Sequence, residues 1–459
     1  RGLRTAEAIR EFLKPSWEHN IHAPYLFRDM AKAVERIYES IGAKQKIAVF
    51  GDYDADGVTS AVLLIDTLKN LGADTLVYLP HREREGYGLN IPALNYLKEK
   101  GAQLVITCDC GIANVAEVAH GNSLGLEIIV TDHHQPQPEL PKAYAILHPG
   151  LAGETYPCKD PSGGGVAFKL VQGLLLYEGC PLKLAEREQH EKWLLDLVAI
   201  STVADMVPLL GENRTLVSFG LTVLKKTRRL GLKQLLATAQ LQPGRLSSVS
   251  IGYQIAPRIN AAGRLDHANA AYALLMSQSE AEAHELARAL NLTNSERQRI
   301  SEEMVVLARE RLGPTSGDRH VLALYEPTWQ MGMVGLVAGK LAQEYHRPVV
   351  IMCDQRGNIG GSGRGVPGFD LVAALSACAK NLLNYGGHKQ AAGFSLTRDS
   401  LVSFTEALEV EATKQLAGVD LRPIVYVDME LNFSDLTCDF AHNLLQMEPH
   451  GQGNPRPRF

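Results

Sequence analysis

A chain of 459 residues, 45% of them hydrophobic and 6% aromatic, is long enough for two or three domains with apolar cores of their own. No run approaches the roughly 18 apolar residues of a membrane span, so nothing is expected to cross a bilayer. A net charge of −5 argues against a broad basic face for duplex DNA and leaves room for a groove lined by a few arginines. Of the seven cysteines only Cys108 and Cys110 are close, and they sit too close along one extended segment for a disulfide; reduced packing thiols are expected. The chain starts without Met and without a charged-then-apolar leader, so the expectation is a trimmed or partial chain working in the cytoplasm.

Residues 1 to about 45 read as polar helices capping a first domain. The apolar run Ile47 to Phe50 predicts a short buried strand, Gly51 and Gly57 bracket a turn, and Val58 to Ile65 has helical spacing. Asp52, Asp54 and Asp56 therefore stand where a strand ends. Alone, such a cluster reads equally as a solvated turn. Two further strand ends change the balance: Gln103 to Cys108 stops at Asp109, and Leu126 to Thr131 stops at Asp132-His133-His134. Strands alternate with helices from Ile47 to about Pro149, which predicts a doubly wound, mostly parallel sheet whose carboxyl ends lie side by side. A fourth acid, Asp205, closes an apolar helix expected to begin near Trp193. Asp54, Asp56, Asp109, His133 and Asp205 are more oxygen and imidazole than one ion needs. They fit two Mn²⁺ or Mg²⁺ ions about 3.5–4 Å apart, bridged by Asp109, able to activate water and stabilise the leaving oxygen of a phosphoester. With no close Cys pair in the set, a structural zinc site fits poorly.

Farther along, Ser162-Gly163-Gly164-Gly165 opens a helix to Leu176, more in keeping with tight helix–sheet packing than with phosphate binding. Glu280 to Leu312 is long, charged and periodic, with Gly313-Pro314 as its stop and Asn291 and Asn294 as possible breaks. At 1.5 Å per residue it spans roughly 50 Å and reads as a bridge between domains. Strands at His320 to Tyr325 and Pro348 to Met352, with a helix from Met333 to Tyr345, predict a second, smaller α/β domain. Gly360 to Arg364 is expected as a backbone-rich loop whose Ser362 and Arg364 suit a terminal phosphate, and Gly386-Gly387-His388 as a glycine turn that brings backbone and imidazole close to a ligand. One clear strand is expected at Ile424 to Met429.

The ordered set Asp54-Ala55-Asp56-Gly57, Asp109-Cys110-Gly111 and Asp132-His133-His134 resembles the DHH phosphoesterase superfamily, and Gly51-Asp52-Tyr53-Asp54-Ala55-Asp56-Gly57 resembles its RecJ single-strand-specific 5′ exonucleases. Arg82 to Leu89, Pro257 to Leu265, Gly361-Ser362-Gly363-Arg364, and Gly386-Gly387-His388 with Ala391-Ala392-Gly393 are similar to that family too. The superfamily's usual histidine four residues before the first aspartate of the pair is Phe50 here, and Asp52 is the candidate for the vacancy. The resemblance implies a two-metal 5′-to-3′ exonuclease of DNA repair and recombination. In it His134 and His388 stabilise phosphorane-like charge, Arg82, Arg258, Arg264, Ser362, Arg364 and Gly387 hold phosphates, and Tyr87 stacks on a base.

The resemblance divides the chain into a cap (1–45), a DHH catalytic domain (46–279), a connecting helix (280–313), a DHH-associated substrate domain (314–418) facing the metals across a narrow cleft, and the start of an OB-fold (419–459) with too few residues to close a barrel. It also implies single-stranded DNA as partner, a single-strand-binding protein and a helicase as protein partners, no membrane, and a monomer. The alternatives are a DHH phosphodiesterase or pyrophosphatase acting on short oligonucleotides, cyclic dinucleotides or pyrophosphate, and a non-enzymatic scaffold. The second is disfavoured because every acid of the set is present.

Overall fold

The computed structural model describes residues 1–313 and 319–459, which form two compact units, Arg1–Asn294 with Val427–Phe459, and Ser295–Tyr426. In the first, strands β1 (Lys46–Gly51), β2 (Asp74–Tyr78), β3 (Ala102–Cys108), β4 (Glu127–Thr131) and β5 (Ala145–Leu147) form one sheet in the order β2-β1-β3-β4-β5, parallel throughout. Ile47 and Val49 of β1 pack in one core with helices Met30–Gly42, Ala55–Asn70, Gly163–Leu176 and Leu184–Ala204. Ala48 and Phe50 enter a second core with helices Ile91–Glu99 and Val115–Ser123. Burial on both faces is why β1 is apolar at every central position instead of alternating. The order reverses direction between β1 and β3, and that reversal opens a crevice at the carboxyl ends of these two strands.

The second unit holds β6 (Leu322–Tyr325), β7 (Val349–Gln355), β8 (Asn358–Arg364), β9 (Asn384–His388) and β10 (Ala391–Leu396) in the order β6-β7-β8-β10-β9. Only the β6–β7 pair is parallel. The helix Glu280–Leu312 runs uninterrupted for 33 residues through Asn291 and Asn294, so neither breaks it. Gly313 follows at φ +60°, as a helix C-terminus favours. The expected stop at Pro314 lies outside the described residues.

Four expectations need correction. Gly360 to Arg364 is the interior strand β8, and Gly386 to His388 belongs to β9, so neither is a loop. The glycines of β8 make room for neighbours: a Cβ on Gly361 would lie 2.4 Å from the Phe394 ring, and one on Gly363 2.8 Å from Leu371. The helix ending at Ala204 begins at Leu184, well before Trp193, because its first turns are polar and exposed and carry no apolar period. Ile424 to Met429 forms no strand: its side chains are exposed, and among the described residues no neighbouring strand pairs with it, so the run has neither a ladder nor a covering layer to hold it extended. No helix among the described residues is long and apolar enough to cross a membrane.

Candidate metal centre

At the end of β1 the chain turns sharply into helix Ala55–Asn70. Asp54 caps that helix, its Oδ1 accepting from the backbone N–H of Asp56 (2.9 Å) and Gly57 (3.1 Å). Gly57 is obligatory, because a Cβ there would lie 2.5 Å from the backbone N and O of Asp52. Asn260 fixes the turn from the other side, its Oδ1 accepting from the N–H of Ala55 at 2.7 Å.

Asp56 is buried and receives four donors: the N–H groups of Gly163 (2.7 Å) and Gly164 (2.8 Å), the Ser201 hydroxyl (2.5 Å) and, at longer range, the Ser60 hydroxyl (3.5 Å). The glycine-rich helix start does bind an anion, and the anion is this side chain rather than a ligand phosphate. It packs tightly as well, since a Cβ on Gly163 would lie 2.6 Å from the Asp109 Cβ.

Asp109, at the end of β3, has left-handed backbone with φ +62°, which turns its carboxylate into the crevice. Its Oδ1 is 3.1 Å from His133 Nε2, which in turn lies 3.6 Å from Asp205 Oδ2 and 3.8 Å from Asp56 Oδ2. Three groups have ligand atoms within 4.8 Å of one another: Asp56 with His133 and Asp205, Asp52 with Asp54 and Asp109, and Asp109 with His133 and His134. Asp109 thus touches both halves of the cluster. The expected set Asp52, Asp54, Asp56, Asp109, His133 and Asp205 comes together in one place.

The electrostatics call for cations. Two like charges about 4 Å apart repel by about 4 kcal/mol at an effective dielectric near 20. Burial, then the neighbouring acids, push Asp56 up to about 6 and Asp205 up to about 9, and raise Asp52 and Asp109 well above the usual carboxylate range. Burial, then His134, lowers His133 to about 3, leaving a neutral imidazole fit to ligate. Asp52 Oδ1 is buried with no hydrogen-bond partner among the described residues. A carboxylate-rich, imidazole-containing set with an orphaned oxygen fits Mg²⁺ or Mn²⁺.

Phe50, at the superfamily histidine's position, points into the outer core and stacks on Tyr78 at 5.4 Å, so it supplies no ligand. Beside the acids, Cys108 and Cys110 are buried with their sulfurs near the carbonyls of Gly57 and Phe50. Burial, then the adjacent aspartates, raises both thiols well above their ordinary range.

Asp132, the acid of the Asp-His-His tripeptide, orients the two histidines that follow it. Wholly buried, it accepts through Oδ1 from the N–H groups of His133 (2.7 Å) and His134 (3.1 Å) and from His134 Nδ1 (2.9 Å), and through Oδ2 from Ile112 N–H (2.9 Å). Burial opposes charge on His134, but the bond to Asp132 outweighs it and lifts the imidazole to about 9. Asp132 itself falls to about 2, since the same pairing overcomes its burial. Asn260, Ser201 and Asp132 were missed as supports because they act through contacts distant in sequence or through a buried carboxylate. The Asp-His-His tripeptide signalled Asp132, and the Pro257 to Leu265 motif signalled the stretch that holds Asn260.

The Tyr87 hydroxyl donates to Asp109 O (3.2 Å) and meets His134 Nδ1 (2.9 Å), with 43% of the residue exposed. The Arg82 guanidinium stacks over Tyr53 at 4.8 Å, and the charges of Arg82 and Arg264 both act on that tyrosine. Arg258 commits two donors to Asn291 Oδ1 (3.0 Å) and Gln254 O (2.7 Å), tying its helix to Glu280–Leu312. In the second unit, Arg364 of β8 and His388 of β9 both pair with Ala391 of β10, so the two side chains share one face. Arg364 Nη1 donates to the Ser362 hydroxyl at 3.1 Å, and Gly387 has φ +141°.

The family model for the DHH family N-terminal domain matches residues 46–202, that for the DHHA1 domain 318–414, and that for the RecJ OB domain 427–459. The single-stranded-DNA-specific exonuclease RecJ of Bacillus subtilis is 39% identical over 459 residues, 100% of this chain and 57% of that protein. That of Escherichia coli is 35% identical over 475 residues, 100% of this chain and 81% of that protein. The chain therefore spans little more than half the length of the Bacillus relative. The crystal structure of RecJ in complex with Mn²⁺ from Thermus thermophilus matches with a TM-score of 0.83 and 32% identity, covering 98% of this chain and 63% of that one. A second crystal structure, of exonuclease RecJ bound to manganese, matches with a TM-score of 0.74 and 33% identity over 87% of this chain and 99% of that one. With full-chain identity to named relatives and all three domain models in order, the chain belongs to the RecJ family.

Proposed function

We propose that this chain hydrolyses single-stranded DNA from its 5′ end, using two Mn²⁺ or Mg²⁺ ions held by Asp52, Asp54, Asp56, Asp109, His133 and Asp205 with Asp109 as the bridge. The carrying observation is the convergence of five buried or part-buried aspartates and a neutral histidine on one crevice, at the point where the strand order reverses. When bound, such ions supply an activated water and charge stabilisation at the attacking and leaving oxygens.

The chain's own groups do the rest. Gly163, Gly164 and Ser201 hold Asp56 in one orientation, so its outward lone pairs are fixed. Asp132 holds His134 by Nδ1 and keeps it cationic at neutral pH, which leaves Nε2–H as a donor to negative charge building on a phosphoryl oxygen. Tyr87 steadies that ring, and its exposed face is proposed to stack on a base. Ser362, Arg364, Gly387 and His388, gathered on one sheet, are proposed to hold the 5′-terminal phosphate, with His388 also stabilising charge at the reacting phosphate. Arg82, Arg258 and Arg264 are proposed to contact the backbone next to it. By the same family reading, a single-strand-binding protein and a helicase are its proposed protein partners, with a monomer in the cytoplasm as its proposed state.

Mn²⁺-dependent digestion of a 5′-labelled single strand beside a 3′-labelled one tests the proposal. Early release of the 5′ label as mononucleotide, with a 3′-labelled strand that shortens progressively and a duplex that resists, is expected. Cleavage of dinucleotides alone would transfer the site to a short-oligonucleotide phosphodiesterase. Arg364→Ala should weaken the preference for a 5′-phosphate over a 5′-hydroxyl end more than it slows the chemical step.

A further inference from the structure

Asp205 is more open than the ligands it faces: its side chain is 25% exposed, against 1% for Asp56, 3% for Asp109 and 12% for His133. It caps the helix Leu184–Ala204 and leads through Met206, at φ +60°, into a short link to the helix Gly211–Leu224. A segment from the far end of the chain holds this link. Gly451 and Asn454 exchange two backbone hydrogen bonds (2.9 and 3.1 Å), closing a tight turn that presents the Gln452 carbonyl to the N–H of Leu209 at 2.8 Å. The turn sits flush on the link, since a Cβ on Gly451 would lie 2.6 Å from Leu209 Cδ1 and one on Gly453 3.2 Å from Pro208.

The turn is itself pinned by Arg214, a wholly buried arginine in the first turn of the next helix. It donates to the carbonyls of Gln446 (3.0 Å), Met447 (3.1 Å), Glu448 (2.7 Å) and Pro449 (3.2 Å), and to Phe12 O (2.7 Å). Ser248 adds a bond to His450 O at 2.5 Å. A guanidinium saturated by backbone carbonyls is a fixed point, because leaving those carbonyls unpaired in the interior would cost far more than the bonds gain in water.

We infer that Arg214 and the Met447–Asn454 segment are positioning elements for the metal centre: docked, they hold the Asp205 link and so set the carboxylate of Asp205 against His133. The inference rests on the metal reading above. It assigns a task to the Met-Glu-Pro-His-Gly-Gln-Gly-Asn run that the reaction itself leaves unused. Groups that orient a metal ligand without touching the ion change affinity by about 10- to 100-fold when removed.

The test is Mn²⁺ titration calorimetry on the metal-free full chain, with folding checked by circular dichroism. Arg214→Lys keeps the charge and loses the fork of donors; Gly451→Ala leaves every Arg214 bond in place and forces the turn off Leu209. In both, one of the two Mn²⁺ ions should bind about 10- to 100-fold more weakly while the other keeps its affinity, a split that general loss of stability would not produce. Should Arg214→Lys fail to fold, Gly451→Ala decides alone. Folded Gly451→Ala binding both ions with the parent's affinities overturns the inference. A parent that binds no Mn²⁺ overturns the metal reading instead, so the two failures are separate.

Discussion

At the scale of single residues, Asp109 and Asp132 are the two acids whose removal should be most telling, for opposite reasons. Asp109 faces the crevice, and its burial, then the other acids, already resist its ionisation. Asp109→Asn keeps a residue that tolerates left-handed backbone and deletes one charge from a repelling cluster. Hydrolysis should therefore vanish while the metal-free protein melts no lower than the parent; turnover within about tenfold of the parent at saturating Mn²⁺ would sink the bridging assignment. Asp132 faces inward and orients. Because His134 is raised to about 9 and Asp132 lowered to about 2, the pair stabilises the fold fully between about 3.8 and about 6.5, and loses that contribution as pH rises through about 9 or falls through about 2. Activity that depends on cationic His134 should have its alkaline limb near 9, and Asp132→Asn should move that limb down toward the ordinary histidine range of about 6.5. A pH–rate profile that keeps its limb in the variant would remove His134 from the role proposed for it.

At the scale of elements, glycine placement carries the most weight. A Cβ on Gly164 would lie 2.3 Å from the Ser201 hydroxyl that holds Asp56, whereas one on Gly42 meets nothing within 4 Å. Gly164→Ala should cost roughly 1–3 kcal/mol by overpacking, and Gly42→Ala, near the end of its helix, should stabilise by up to roughly 0.5–1 kcal/mol; chemical denaturation of the two variants side by side checks the contrast. The same glycines mark where the sequence was legible. Strand ends at Gly51, Cys108 and Thr131 announce themselves because an apolar run stops at an acid, and that pattern is local. The Gly-Gly-Ser-Gly run of β8 looks like a turn because its reason for being glycine, the Phe394 ring on the neighbouring strand and Leu371 at the start of a packed helix, is distant in sequence. Ile424 to Met429 misleads the other way: β-branched residues advertise a strand, but a strand exists only where a neighbour pairs with it. Asn260 and Ser201 reach Ala55 and Asp56 from far along the chain, and although each lies in or near a stretch with a signal of its own, no local pattern says which distant group it holds.

At the scale of the whole molecule, the acid cluster ties stability to pH and to metal together. A carboxyl whose folded value lies above its unfolded value of about 3.8 favours the neutral form, so its burden on the metal-free fold is absent below that value and grows as pH rises through the folded value. With Asp56 at about 6 and Asp205 at about 9, metal-free protein should lose stability steadily between about pH 4 and pH 9. Cations bound only by the folded state offset that loss. The rise in melting temperature on adding Mn²⁺ should therefore be larger at pH 8 than at pH 5; an increment independent of pH would mean the ions do not neutralise these acids. The field that gathers cations also acts on what lies beside it. Burial first, then the adjacent aspartates, holds the sealed Cys108 and Cys110 toward their protonated form. The donors turned toward the crevice are therefore the hard ones, carboxylate oxygens and imidazole, while the sulfurs point at the carbonyls of Gly57 and Phe50, and a donor set of that kind suits Mg²⁺ or Mn²⁺.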